Sequence, residues 1–271
     1  MAEWAYKLGV IGAGKMGKAL VCSLARARAL EPGQIVATDV QPAALVALAA
    51  ACPGAATTGD VADLVASSEI LLVAVKPQDF EAAVRPVAGE RAAGQLIVSI
   101  MAGVRIERIA RVLGPDTPIV RVMPNIPCEV AEGAFGYAPN EHVSEAHLAL
   151  VGDWLNRIGA AERVSEKQLD AVTGLSGSGP AFVALMIEGL ADGGVAAGLP
   201  RAVAQRLAAQ TVLGAGKWVR DMGGPAALKD AVSSPAGTTI EGIRELERQG
   251  VRSAALEAVV VASRKASELG Q

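Results

Sequence analysis

Three glycines near the start of the chain restrict its possible folds more than any other feature. The stretch LGVIGAGKMGKAL (8–20) places Gly12, Gly14 and Gly17 in the spacing G-x-G-x-x-G, between an apolar run typical of a strand and a helical pattern. Gly12 permits a tight turn, Gly14 lets backbone approach a pyrophosphate, and Gly17 allows a helix to pack closely on a strand. The N–H groups that open the helix are suited to an anion. A glycine-rich turn without a ligand is the alternative, but this context predicts a dinucleotide-binding β-α unit.

Short β-branched runs alternate with helical stretches up to about residue 163. Continuous apolar runs indicate strands that are buried on both faces, as in a parallel sheet. Regular β-α alternation therefore predicts a doubly wound sheet of the Rossmann type. The predicted strands are 7–12, 34–39, 69–75, 95–100 and 118–123, with 132–139 as a further edge strand, and the predicted helices are 15–30, 42–51, 61–66, 78–88 and 104–113.

After about residue 165 the strand patterns end and helical patterns follow one another. We predict helices over 179–197, 200–220, 225–232, 238–249 and 253–268. They are rich in Ala and Leu on more than one face, which favours a partner chain over part of that surface. The fold class is thus α/β, with an N-terminal Rossmann-type sheet (1–163) followed by an all-α dimerisation domain (164–271).

The charge and cysteine content exclude several classes of protein. A formal net charge of -3 without a basic run argues against nucleic-acid binding. The three cysteines are scattered, which favours a reduced, metal-free cytoplasmic protein. Residues 40–59 carry no charge, but they are mostly Ala and contain Pro42 and Pro53, so we expect no membrane span there.

Two further residues stand where parallel strands end. Asp39 lies 22 residues after Gly17, where an acid usually accepts hydrogen bonds from the adenine ribose and repels a 2'-phosphate. It could equally cap the helix that begins at QPAALVAL. Lys76, in AVKPQDF (74–80), could reach a cofactor phosphate or ribose, or could be a solvated side chain at a strand end.

The chain offers no obvious proton donor for carbonyl reduction. Its only histidines, His142 and His147, fall in a polar stretch, and residues 174–200 contain no Lys, Arg or His. A substrate that is already a protonated imine needs no such acid, since its carbon is electrophilic before it binds. SSPAGTT (233–239) could supply hydroxyls beside the nitrogen and helix N–H groups for a carboxylate, or its Ser and Thr residues could simply cap helices.

Taken together, these motifs resemble the Δ1-pyrroline-5-carboxylate reductase family nearly from end to end. IGAGKMG, AVKPQ, RVMPNIP, AVTGLSGSGPAF, ADGGVAAGLPR and LKDAVSSPAGTTIEGI occur in the family's order and spacing. The resemblance implies reduction of 1-pyrroline-5-carboxylate to L-proline, the last step of proline biosynthesis, with NADPH or NADH. It also implies a homodimer and allows for a decamer of five dimers.

Carried over residue by residue, the resemblance also implies a set of site residues. Thr239 would be the catalytic group, with its hydroxyl near the ring nitrogen, and it would bind substrate together with Gly237 and Thr238. Ser176 and Ser178 are weaker candidates for the wall of the pocket. The cofactor-binding residues would be Gly12, Ala13, Gly14, Lys15, Met16, Gly17, Asp39, Ala74, Val75, Lys76, Pro77, Met101, Ala102 and Glu166.

Three departures from the family pattern bear on these expectations. Ala236 replaces the usual Gly of the substrate loop, and Ala231 stands where some relatives carry Asn. Asp39 occupies a position where NADPH-preferring members often have a small hydroxyl residue, so it favours NADH. Another imine reductase of the same architecture, or a non-catalytic dinucleotide sensor, are the alternatives. SSPAGTT favours a reductase, because a sensor needs no second anion pocket.

Overall fold

The computed structural model describes residues 4–85, 88–89 and 91–270 of the chain. They form two compact units. The first contains the chain up to Ser178 together with the segment from Val261 onward, and the second is Gly179–Val260. The predicted boundary at 163/164 coincides with the end of the last strand, whereas the compact units divide fifteen residues later, between 178 and 179.

An eight-stranded sheet forms the centre of the first unit, in the order β3-β2-β1-β4-β5-β6-β7-β8. All neighbouring strands run parallel except β6 and β7, which are antiparallel. This mostly parallel, doubly wound order confirms the predicted fold class. The strands are β1 (Tyr6–Ile11), β2 (Ile35–Thr38), β3 (Ala56–Thr57), β4 (Ser68–Val73), β5 (Leu96–Ser99), β6 (Ile119–Met123), β7 (Gly133–Pro139) and β8 (Gly159–Arg163).

Six α-helices connect these strands within the described residues, and a seventh follows the last strand. Two of them begin at side-chain caps: Asp60 accepts hydrogen bonds from the N–H groups of Ala62 and Asp63, and Ser144 accepts one from His147. The helices are α1 (Lys15–Arg26), α2 (Pro42–Ala51), α3 (Val61–Ser67), α4 (Phe80–Val84), α5 (Ile106–Leu113), α6 (Glu145–Asn156) and α7 (Leu169–Val172).

Apolar side chains cover both faces of the sheet. Along β4, Ile70 and Leu72 belong to one hydrophobic cluster, while Leu71 and Val73 belong to another. Because successive side chains of a strand point to opposite faces, the two clusters lie on the two sides of the sheet. Burial on both sides explains why the sequence shows continuous apolar runs rather than alternation.

The second unit is entirely helical, as predicted. Its helices are α8 (Gly179–Ala196), α9 (Arg201–Asp221), α10 (Pro225–Ala231), α11 (Thr238–Arg248) and α12 (Val251–Leu269), the last of which continues into the first unit. Its buried core is small and made of alanines, whereas large side chains such as Leu185 and Leu213 are 67% and 56% exposed. Such a surface is typical of helices that another chain covers.

One helical run in the described residues, Glu166–Ala196, is long and apolar enough to cross a membrane by length and composition alone. A single run of this kind is weak evidence, because helices covered by protein pass the same test. The uncharged stretch 40–59 has one helix, the ten-residue α2, which is too short to span a membrane.

Several elements differ from the sequence-based expectations. Strand β7 forms, but β8 lies outside it and is the edge strand. Strands β3 and β8 and helices α6 and α7 have no clear sequence pattern and are not among the predicted elements. Helix α1 ends at Arg26 instead of residue 30, since Arg28 adopts a φ of 54°. Helix α4 is shorter than the predicted 78–88, and residues 86 and 87 of that prediction lie outside the described residues.

Candidate active site

The loop after β1 is built by two glycines that pack against backbone. Gly12 has a φ of +104°, and its N–H donates to the carbonyl of Thr38 at 2.9 Å. A Cβ on Gly12 would lie 2.8 Å from backbone atoms of Ala74, and one on Gly17 would lie 2.3 Å from the carbonyl oxygen of Gly12. Neither contact could be relieved without moving main chain, so these glycines hold β1, β4 and α1 together.

Gly14 differs from both, because a Cβ there would meet nothing within 4 Å. It is the N-cap of α1, with an extended backbone (φ -63°, ψ -174°) and no side-chain hydrogen bond to the first turn. The first-turn N–H groups of α1 therefore have no side-chain cap from this residue, and the space beside Gly14 is open. An open backbone at an uncapped helix N-terminus fits the pyrophosphate of a dinucleotide.

Asp39 follows β2 and ties its end to the glycine loop. Its Oδ2 accepts a hydrogen bond from the N–H of Ala13 at 2.7 Å, and its Oδ1 accepts one from Gln41 at 2.8 Å. The N-cap of α2 is Gln41, so the interpretation of Asp39 as that cap does not match the structure. A carboxylate has about four lone-pair sites, and two remain for ribose hydroxyls.

The ends of β4 and β5 lie beside the same loop. Ala74 donates its N–H to the carbonyl of Ile11 at 2.8 Å, and Ile100 donates to Val73 at 3.1 Å. Lys76 is exposed at the start of a 3-10 turn (Pro77–Asp79), whereas the Met101 side chain is only 3% exposed and belongs to the core. Met101 can therefore offer a cofactor little beyond its backbone. Val75, Pro77 and Ala102 lie in these same two loops.

Glu166 is held by contacts that the sequence did not indicate. Its Oε1 accepts a hydrogen bond from the N–H of Ile106, at the start of α5, at 2.6 Å. The same oxygen lies 3.3 Å from a guanidinium nitrogen of Arg121, whose side chain is only 6% exposed. A buried cation requires an anion partner, so Glu166 neutralises Arg121 and anchors α5. The one signal available in the sequence was a lone Arg inside the apolar strand PIVRVM.

The substrate loop, Ser233–Thr239, forms a tight turn in front of α11. Gly237 donates its N–H to the carbonyl of Ser234 at 3.0 Å, and between them Ala236 has a φ of +56°. A Cβ on Gly237 would lie 2.2 Å from the Oγ of Ser234, so only glycine fits there without a shift of that side chain.

Gly237 is also the N-cap of α11, and as a glycine it has no side chain to accept from the first-turn N–H groups. Thr238 and Thr239 lie inside the first turn, and the hydroxyl of Ser233 donates to the backbone carbonyl of Lys229 at 2.7 Å. The alternative in which Thr238 caps α11 therefore does not match the structure. The three N–H groups that open the helix have no side-chain cap from Gly237, which suits a carboxylate.

The described residues contain no group of three or more His, Cys, Asp or Glu side chains that could hold a metal ion. The three cysteines are free and buried. Burial raises the pKa of all three thiols, that of Cys128 to about 11.

Comparison with known proteins identifies the family. Residues 166–269 match a family model described as pyrroline-5-carboxylate reductase dimerisation, and residues 7–103 match one described as NADP oxidoreductase, coenzyme F420-dependent. The chain is 44% identical over 266 residues to pyrroline-5-carboxylate reductase of Methanosarcina acetivorans, covering 98% of each chain. It is 38% identical over 268 residues to that of Escherichia coli, again covering 98% of each. The chain belongs to the pyrroline-5-carboxylate reductase family.

Solved structures of pyrroline-5-carboxylate reductases agree with this assignment. The enzyme of Coxiella burnetii matches with a TM-score of 0.91 and 31% identity, over 98% of this chain and 99% of that one. The Plasmodium falciparum enzyme, solved with NADP bound, matches with a TM-score of 0.87 and 30% identity over the whole of both chains. The chain is accordingly an NAD(P)H-dependent oxidoreductase that acts on a C=N bond.

Proposed function

We propose that this chain reduces 1-pyrroline-5-carboxylate to L-proline with NADPH or NADH. The observation that carries the proposal is the likeness to pyrroline-5-carboxylate reductases over 98% of the chain. The bound dinucleotide supplies the hydride. The protein residues orient the substrate, neutralise its carboxylate and exclude water.

The cofactor side of the proposal relies on three loops at one edge of the sheet. Gly12–Gly17 would receive the pyrophosphate, with the open backbone of Gly14 nearest to it. Asp39 would accept hydrogen bonds from the adenine ribose with its remaining lone pairs, which favours NADH. Ala74–Pro77 and Met101–Ala102 would line the dinucleotide. Glu166 would act there chiefly through its contacts with Ile106 and Arg121.

The substrate side relies on the first turn of α11. The N–H groups at Thr238 and Thr239 would bind the carboxylate, and the Thr239 hydroxyl would orient the ring nitrogen. Thr239→Val keeps the β-branched shape and removes the hydroxyl. Losing one such hydrogen bond should lower kcat/KM by about ten- to a hundredfold while dinucleotide affinity stays unchanged. Normal turnover by Thr239→Val would mean that the nitrogen is held elsewhere.

A single assay separates the alternatives. The purified protein is incubated with pyrroline-5-carboxylate, or in parallel with other cyclic imines, and with either NADH or NADPH, and the loss of reduced-nicotinamide absorbance is followed. Turnover supports the proposal. Turnover only with other cyclic imines would favour an imine reductase of different specificity, and dinucleotide binding without turnover of any imine would favour a sensor.

We further propose the division of labour and assembly that the sequence suggests. Residues 1–163 would bind the dinucleotide, and 164–271 would bind substrate and form a homodimer, with a decamer of five dimers as a larger form. The exposed Leu residues of α8 and α9 support an oligomer. We expect the protein to be cytoplasmic and to bind neither membrane nor nucleic acid. Sedimentation at micromolar concentration tests the assembly, and a stable, active monomer would contradict it.

A further inference from the structure

Asn125 makes two hydrogen bonds that join distant parts of the first unit. It follows β6 between two prolines and is only 6% exposed. Its Oδ1 accepts from the N–H of Ala134 in β7 at 2.8 Å, and its Nδ2 donates to the carbonyl of Ser176 at 3.0 Å. Because one end must accept and the other must donate, the amide has only one workable orientation.

The segment that Asn125 reaches is a π-turn, Thr173–Gly177, formed by the TGLSG of the AVTGLSGSGPAF motif. The N–H of Ser178 donates to the carbonyl of Thr173 at 2.9 Å, five residues back instead of four. Such π-turns inside helices are rare and occur frequently at functional sites.

Pro180 explains why a side chain is needed at this point. In an α-helix the carbonyl of Ser176 would accept from the N–H of residue 180, but proline has none. The Asn125 amide supplies a donor to the carbonyl that Pro180 cannot serve. Asn125, in RVMPNIP, and Ser176, in AVTGLSGSGPAF, lie 51 residues apart in the sequence, and this hydrogen bond joins them.

The position of this link in the sheet gives it a functional meaning. Asn125 lies just beyond the carboxyl end of β6, on the edge where Gly12, Ala74 and Met101 follow their own strands. Open α/β sheets bind ligands at this edge. The preceding segment is close to the sheet as well, since a Cβ on Gly136 of β7 would lie 2.8 Å from Val172.

We infer that Asn125 is a positioning residue for the reductase reaction. It fixes the π-turn at the ligand-binding edge of the sheet. The polar backbone of residues 173–178 is thereby held in the position that substrate binding requires. This inference rests on the proposed function and deepens it. Asn125 touches neither substrate nor cofactor in this scheme and acts through the carbonyl of Ser176.

The test compares two asparagines with similar bonds. Asn125→Asp keeps the shape and the acceptor for Ala134, but it places a carboxylate oxygen against the Ser176 carbonyl. Asn140 is the matched control. Its Oδ1 accepts from the N–H of Ile119 at 3.0 Å, and its Nδ2 donates to the backbone carbonyl of Thr117 at 2.8 Å, at the other end of the β6–β7 pair.

We expect Asn125→Asp to lower kcat/KM for pyrroline-5-carboxylate by about tenfold or more, with unchanged dinucleotide affinity. Asn140→Asp should lower thermal stability to a similar extent and leave kcat/KM unchanged. Amide hydrogen exchange at Ser178 should become faster in Asn125→Asp only. Equal kcat/KM in the two folded variants would overturn the positioning role.

A rescue experiment tests the mechanism itself and covers the case in which Asn125→Asp folds poorly. Asn125→Ala removes the donor without adding charge, and Pro180→Ala restores a backbone N–H at residue 180. The double variant should recover several-fold of the kcat/KM lost in Asn125→Ala, and no recovery would overturn the proposed exchange of donors.

These outcomes are separable from the proposed function. If the unmodified chain does not reduce pyrroline-5-carboxylate, the proposed function is wrong and the positioning role falls with it. If the unmodified chain is active and Asn125→Asp is equally active, only the positioning role is wrong.

Discussion

Replacing Gly14 by Ala should separate dinucleotide binding from folding. The backbone at Gly14 is extended (φ -63°, ψ -174°), a conformation that alanine adopts without strain. The added Cβ would meet no protein atom within 4 Å. Because Ala is a poorer N-cap than Gly, the free energy of unfolding should fall, by less than about 1 kcal/mol.

The same methyl group would occupy the space proposed for the pyrophosphate. Adding a methyl group to a close-packed contact costs about 1–3 kcal/mol. That corresponds to roughly a ten- to hundredfold rise in Kd for the dinucleotide. Isothermal titration with NADH and NADPH measures this rise, and chemical denaturation of the ligand-free protein measures the change in stability.

Two other glycines provide the comparison. Gly17→Ala would place its Cβ 2.3 Å from the carbonyl oxygen of Gly12, so it should lower the free energy of unfolding itself, by about 1–3 kcal/mol. Gly33→Ala also meets nothing within 4 Å, but it lies in the 3-10 turn Pro32–Gln34, outside the glycine loop. If Gly14→Ala binds the dinucleotide as tightly as Gly33→Ala does, the backbone at residue 14 does not face the ligand and the reasoning is wrong.

Three further predictions concern cofactor choice, backbone strain and thiol chemistry. Asp39→Ser should raise the ratio of NADPH to NADH efficiency by about tenfold or more, since a carboxylate near a 2'-phosphate costs about 1–3 kcal/mol. The ratio of the two efficiencies is the proper measure, because losing the hydrogen bond between Asp39 and Ala13 of the glycine loop affects both cofactors. An unchanged ratio would mean that Asp39 only supports the glycine loop. Ala236→Gly should raise the free energy of unfolding by roughly 0.5–1 kcal/mol, because it removes the strain of an alanine in the left-handed region. The same change at Ala47, which is exposed and helical, should lower the free energy of unfolding. Denaturation curves that shift in the same direction for both variants would contradict this prediction. Burial raises the pKa of the Cys128 thiol to about 11 and also raises the pKa values of the other two thiols. A thiol reagent at neutral pH should therefore leave activity intact and label all three cysteines only after unfolding. Rapid labelling of the native protein would refute this prediction.

Much of the fold could be predicted from the sequence because local pattern and tertiary environment agree there. The five strands with β-branched apolar runs are all buried on both faces, and each prediction lies within two residues of the observed strand at either end. The five helices of the C-terminal half were likewise found, since Gly or Pro separates most of them. The glycine loop was recognisable because its spacing directly encodes a turn and a close strand–helix contact.

Other elements could not be predicted, since their own residues do not specify them. Strand β8, with the sequence GAAER, contains no β-branched side chain and becomes a strand through parallel pairing with β7, beginning at Gly133 and Gly159. A Cβ on Gly159 would lie 2.0 Å from the carbonyl oxygen of Gly133, so this pairing depends on the absence of a side chain. Strand formation at β8 is therefore decided by its pairing with β7, which the residues of β8 alone do not indicate.

The candidate site divides in the same way. The sequence alone shows which loops carry glycines, where strands end, and that an uncharged turn precedes α11, because these features depend on neighbouring residues and on backbone conformation. Three contacts become visible only in the folded chain: Glu166 neutralises the buried Arg121, Asp39 binds the glycine loop, and Asn125 donates to the Ser176 carbonyl, for which Pro180 has no N–H. These partners are 45, 26 and 51 residues apart. Because Arg121 and Asn125 are buried by folding, each must bond to the polar groups that the topology brings beside it.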